Sequence, residues 1–162
     1  MRRLGVAFVA VAATLAVCGL AQARSAADGP RWLVQTNAAC LDATRERAAV
    51  VRRVSRLPSS TARGTLLRLL SGTSRTETRL LRRLSGVHPP RSDAAAFART
   101  VARFRARHTV DARLITLLQR RWDARLLERQ TRSDRIANLR LARLWDGLGA
   151  GACARYFRSL RS

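Results

Sequence analysis

Lysine is absent from this sequence: all 32 Lys-or-Arg positions are arginine. Aromatic residues make up only 5% of the chain, and there are two histidines, three cysteines, four prolines and ten carboxylates. Each scarcity excludes something. The β-branched and aromatic residues never gather into alternating runs, so a sheet core has no support. Two histidines and three cysteines, with no C-x-x-C unit, do not supply the ligand spacing of a structural zinc site. The carboxylates contain no E-x-x-H element of a di-iron bundle. Neither common glycine-rich phosphate loop occurs. No Ser or Cys is placed beside a His and an acid as nucleophilic catalysis requires, so the expected reading is non-enzymatic, without cofactor or metal. What remains abundant is alanine, leucine and arginine, all good helix formers. The 162 residues suit one all-α domain with a real core.

The first residues read as an export leader. Arg2 and Arg3 form a short positive region, Leu4 to Val17 an apolar segment too short to span a bilayer, and Ala21-Gln22-Ala23 a small-x-small cleavage site. Leu15-Ala16-Val17-Cys18-Gly19 offers a second route, because it resembles a bacterial lipobox with Cys18 as the lipidated residue; Val17 departs from the Gly, Ala or Ser usual before that cysteine. Residues 1–23 are therefore read as a signal peptide, 24–31 as a flexible segment, 32–157 as the helical domain and 158–162 as a tail. No other segment is apolar enough to span a membrane.

Helical periodicity and breakers divide the domain. Helix one is expected over about 32–57, with Leu33, Asn37, Cys40, Thr44, Ala48, Val51 and Val54 inward. Leu57-Pro58-Ser59-Ser60-Thr61 ends it. Helix two is expected over about 62–85, with Leu66, Leu69, Leu70, Leu80, Leu81 and Leu84 inward and a kink near Gly72, where glycine weakens a helix. Ser85-Gly86-Val87-His88-Pro89-Pro90 is a strong stop, after which Ser92 or Asp93 is expected to cap helix three. Phe97, Val101, Phe104, His108, Ala112, Ile115, Leu118 and Trp122 form its apolar stripe.

From Asp93 to Asp146 there is no glycine or proline. One helix of that length would be roughly 80 Å long. The cysteines argue against it. Once Cys18 is assigned to the leader or to a lipid, Cys40 and Cys153 remain as one pair, with two free buried thiols as the alternative. A disulfide needs Cα atoms within about 7 Å, so an even number of passes must separate them. A break near Arg120 to Asp123, with Asp123 as N-cap, gives helices at about 93–120 and 123–148, the last with Leu127, Ala137, Leu141, Leu144 and Leu148 inward. The expected architecture is an up-down-up-down antiparallel four-helix bundle closed by Cys40–Cys153. Gly147, Gly149 and Gly151 would end helix four and free the chain to deliver Cys153.

Asn37-Ala38-Ala39-Cys40 opening helix one, Leu84-x-x-x-x-Pro89-Pro90 ending the second, and Leu148-Gly149 shortly before Cys153 give the chain a likeness over about residues 32–157. In this order it resembles small, largely uncharacterised exported helical proteins and lipoproteins of actinobacteria. The resemblance implies a disulfide-closed bundle in the cell envelope and carries no catalytic residue.

The formal net charge is +22, and removing a leader with Arg2 and Arg3 lowers it by only two. Such a field steers anionic partners, although an arginine- and alanine-rich composition also arises from a GC-rich genome. Candidate contacts are Arg79, Arg82, Arg83, Arg99, Arg103, Arg120, Arg121 and Arg125, whose guanidinium groups favour phosphate and carboxylate. Without stacking aromatics or a nucleic-acid-binding motif, and with export expected, nucleic acid is disfavoured as partner against anionic wall polymer or lipid headgroups. His88 reads as a solvated turn residue. His108 reads as a satisfied core histidine, or alternatively as the centre of a small-ligand or metal site with Asn138. Asp42 and Glu46 share a face that Arg45 and Arg47 neutralise.

Overall fold

The computed structural model describes residues 30–56 and 62–160; residues 1–29, with the expected leader and Cys18, the segment 57–61 where the first break is expected, and residues 161–162 lie outside them. The described residues form five α-helices and no strand: α1 Arg31–Ser55, α2 Ala62–Ser85, α3 Arg91–Arg120, α4 Ala124–Gly147 and α5 Gly151–Ser159. None of these helices is long and apolar enough to cross a membrane.

Local chemistry sets the boundaries. Pro30 and Pro90 stand immediately before α1 and α3. Their fixed φ suits a helix start, and their carbonyls accept the first amides: Leu33 and Val34 donate to Pro30, Asp93 and Ala94 to Pro90. Neither Ser92 nor Asp93 is the cap of α3, contrary to the sequence expectation; both lie in its first turn. The break in the Gly- and Pro-free segment is present. Arg121 is extended (φ −138°, ψ 116°), and the Asp123 carboxylate accepts from the Leu126 amide at 2.9 Å, a side-chain N-cap of the ordinary kind. α3 has 30 residues against 24 in α4, so the two halves are not equal.

Side-chain contacts run in reverse order across α1 and α2, α2 and α3, and α3 and α4. Asp42 faces Arg83 and Glu46 faces Arg79 across α1 and α2. Glu77 faces His108, and Arg63 reaches Leu118, across α2 and α3. Phe97 meets Trp145, and Asp111 meets Gln130, across α3 and α4. Gly72 does not break α2, which is continuous through it. A Cβ there would meet Val50 Cγ1 at 2.4 Å; the glycine lets α1 and α2 approach closely.

The main departure from the expected four helices is α5. Helix α4 ends in a Schellman turn: Ala150 donates to Trp145, Gly149 to Asp146, and Gly149 has φ +74°. Beyond this turn the chain does not run on as the exit expected from the glycines. It turns into α5, which fully buries Cys153, Ala154 and Phe157 and leaves Tyr156 almost fully buried. No Cα of α1 lies within 8 Å of one in α4, whereas α5 lies against both. Two edge-to-face aromatic chains fill the core, Trp32–Phe97–Trp145 and Phe104–Phe157–Tyr156.

Cys40 and Cys153 form the disulfide, with Cα atoms 5.0 Å apart and both residues fully buried. The inward face of α1 is rotated from the expected one. Trp32, Thr36, Ala39, Cys40, Ala43 and Val54 are buried, while Thr44 and Val51 are exposed and Leu33, Asn37 and Ala48 are half-buried. Small residues face inward there because α5 packs closely against them. In α2, Leu80, Leu81 and Leu84 are buried, but Leu66, Leu69 and Leu70 only half so. In α4, Leu141 is buried, with Asn138, Ala142 and Trp145; Leu127, Ala137, Leu144 and Leu148 are half-buried. Trp122 lies beyond the end of α3, half-buried, with the Arg63 guanidinium 5.8 Å above its ring.

Candidate functional site

Two features concentrate the chain's polar chemistry: a buried network between α2, α3 and α4, and an arginine-lined groove on α3 and α4.

The network centres on Glu77, whose side chain is 3% exposed. It sits on the same face of α2 as Leu80, Leu81 and Leu84, three to seven residues earlier, and is carried into the core with them. Arg107, 8% exposed, pairs with Glu77 and, at 3.0 Å, with Asp111. His108 bridges the adjacent pair of α2 residues: Nδ1 lies 3.2 Å from Glu77 Oε2 and Nε2 lies 3.0 Å from the Thr78 hydroxyl. Both ring nitrogens are thus engaged within the protein. From α4, the Gln130 amide donates to Asp134 at 2.7 Å and reaches Asp111 at 3.5 Å.

Burial pushes the Asp111 carboxyl up to about 7, against the pull of Arg107 and with the help of Asp134 and Glu77. Burial also raises Asp134, but Gln130, Arg107 and the hydrogen bond with Asp111 oppose it. Both carboxyls thus stand above the ordinary carboxylate range, chiefly through burial. Arg107 is held above its ordinary value by Glu77 and Asp111, which together outweigh its burial. Tyr156, buried nearby, is also raised, chiefly by burial. The network ties three helices together. No group of three or more His, Cys, Asp or Glu side chains among the described residues could hold a metal ion.

The groove has a different character. Arg99 and Arg103, one turn apart on α3, and Arg143 on α4 surround a surface cavity of about 260 Å³ whose lining includes Ala96, Thr100, Leu144, Gly147 and Leu148. None of these lining residues is acidic, and none of the three arginines is ion-paired to a described carboxylate. A second cavity, of about 610 Å³, is lined by Pro30, Arg31, Trp32, Gln35, Gly86, His88, Pro89 and Pro90. Neither cavity is lined by His108 or Asn138.

The other candidate arginines are dispersed. Arg79 and Arg83 point back to α1, holding Glu46 at 2.7 and 2.9 Å. This also neutralises the Asp42–Glu46 face, where Arg45 takes Asp42 at 2.6 Å. Arg47 instead donates to the Ser159 carbonyl on α5. Arg82 is exposed on α2, and Arg120, Arg121 and Arg125 are exposed around the α3–α4 turn. The structure thus brings together Arg99 and Arg103 and adds Arg143.

Several network members escape sequence reasoning. Arg107 and Asp111 stand four residues apart, a spacing that by itself indicates no more than a local i,i+4 pair. Glu77 carried a signal, a lone acid on a leucine face, as did Asp134, one turn before Asn138. Neither position reveals its partner, because the partners come from other helices.

In comparisons with protein-family models, curated proteins and solved structures, nothing matches the chain.

Proposed function

We propose that the protein is a non-enzymatic helical component of the cell envelope or secreted space, an up-down helical bundle clasped by α5, whose arginine surface contacts anionic envelope components. One observation carries this reading: the described carboxylates are largely consumed within the fold, leaving the arginine excess uncompensated on the outside. Asp42 and Glu46 serve Arg45, Arg79 and Arg83; Glu77 and Asp111 serve Arg107; Asp123 caps α4; Glu128 serves Arg132; Asp146 serves Arg158. A surface so unbalanced attracts polyanions at long range. The buried disulfide suits an oxidising compartment, and the leader with its two processing routes, at Ala23 or Cys18, points the same way, as does the likeness to exported actinobacterial proteins.

The test is binding to wall polymer and to anionic vesicles across a salt series. Charge-driven contacts weaken steeply as ionic strength rises. Binding indifferent to salt overturns the electrostatic mechanism, and no binding to either anionic material overturns the reading.

A further inference from the structure

The geometry points to the groove between α3 and α4 as a site for the phosphate of an anionic phospholipid, with Arg99, Arg103 and Arg143 on the headgroup and Leu144 and Leu148 against the adjoining apolar carbons. This deepens, and rests on, the reading of the surface as anion-binding. Three observations carry it.

First, the arginines come from two helices onto one cavity, so their positions are fixed by the α3–α4 packing of Phe97 on Trp145. Arg99 and Arg103, four residues apart, repel one another along α3, and no described carboxylate relieves them. Asp146, the nearest acid on α4, is occupied by Arg158. Asp93, on the first turn of α3, accepts from Ser92.

Second, guanidinium groups offer paired donors that match phosphate oxygens. They are the groove's charged donors, because the Thr100 hydroxyl donates to the Ala96 carbonyl instead.

Third, the floor is apolar. Leu144 and Leu148 are only half-buried, and Ala96 and Gly147 add no polar side chain. A free phosphate or a phosphate polymer has no use for that floor. An amphiphile does.

The experiment measures binding to phosphatidylcholine vesicles doped with phosphatidylglycerol, in excess of binding to phosphatidylcholine alone, with soluble polyphosphate as the second probe. R99Q/R103Q/R143Q is compared with R75Q/R113Q/R140Q, which removes the same charge from exposed positions outside the groove. The groove variant is expected to lose at least about tenfold more vesicle affinity than the control variant, the loss of one or more charge-assisted hydrogen bonds. R99K/R103K/R143K keeps the charge but loses the forked donors, and is expected to bind vesicles more weakly than the parent. All these side chains are exposed, and an unchanged melting temperature verifies the fold. Leu144→Ala should weaken vesicle binding and leave polyphosphate binding intact. Equal losses in the two glutamine variants overturn the groove while leaving the general anionic surface standing. An equal effect of Leu144→Ala on both probes, or none on either, overturns the lipid assignment. Failure of the parent protein to bind either anionic probe overturns the underlying reading itself.

Discussion

The Asn37 side-chain oxygen accepts a hydrogen bond from the backbone amide of Ala152 at 2.9 Å, across 115 positions of the chain. α5 begins at Gly151 without a side-chain cap of its own. An orphan amide at its start is thus satisfied by a residue of α1, one turn before Cys40. The disulfide and this cap act together on one junction: one joins α1 to α5 covalently, the other sets where α5 begins.

Asn37→Ala should destabilise the fold by about 1 kcal/mol, the usual effect of losing an N-cap. Asn37→Asp keeps an acceptor and places a negative charge at the helix N-terminus, so it should be close to neutral. Urea unfolding of both variants measures this. Equal losses would show that the contact lacks capping character.

Cys40→Ser/Cys153→Ser removes a link with a sequence separation of 113 and should lower stability by about 2–5 kcal/mol. Intact mass of the protein from its own host should show the two-hydrogen deficit of the disulfide. The same spectrum distinguishes cleavage after Ala23 from lipid on Cys18.

Gly72→Ala sets two effects against each other. Helix propensity favours alanine by about 1 kcal/mol. The new Cβ would meet Val50 Cγ1 at 2.4 Å, and overpacking of this kind costs about 1–3 kcal/mol. A net loss of stability is expected, relieved in Val50→Ala/Gly72→Ala. A lone Gly72→Ala that melts higher than the parent would show that α1 yields easily.

The Asp111 carboxyl stands at about 7 in the folded chain against 3.8 ordinarily. Between these values the folded protein binds more protons than the unfolded one. This contribution to stability is therefore full below about pH 4 and is lost as pH rises through about 7. Asp134 is raised too and acts in the same direction. The decline attributable to Asp111 should be on the order of 2 kcal/mol after allowance for its partial exposure. Asp111→Asn cannot ionise and should flatten it. Urea midpoints at pH 5 and pH 8 for both proteins check the sign; a parent that gains stability over this range contradicts the assignment.

Sequence reasoning reached the helices through signals that act locally. Asp123 capping α4, the proline-flanked start of α3 and the stripe from Phe97 to Leu118 depend on residues within a few turns of one another. It missed α5 as a helix because its nine residues, following a glycine cluster, look like an exit. Their helicity depends on burying Cys153, Tyr156 and Phe157 against α1, α3 and α4, and on Asn37. The rotated face of α1 has the same origin: Ala39 and Ala43 are inward because α5 comes close there, while the more apolar Val51 has no helix to meet.

By itself, then, the sequence determined an all-helical chain and singled out Cys40 and Cys153 as one pair, and the need for that pair to meet gave the break between α3 and α4; breakers, caps and the count of cysteines are properties of the chain taken alone. Only the tertiary structure decided where the charges act. It turned Glu77, Arg107, His108, Asp111 and Asp134 inward to one another, tied Arg79 and Arg83 to α1, and left Arg99, Arg103 and Arg143 facing one groove. The physical reason is that an ion pair or a binding groove depends on distances between side chains of different helices, and packing alone sets those distances.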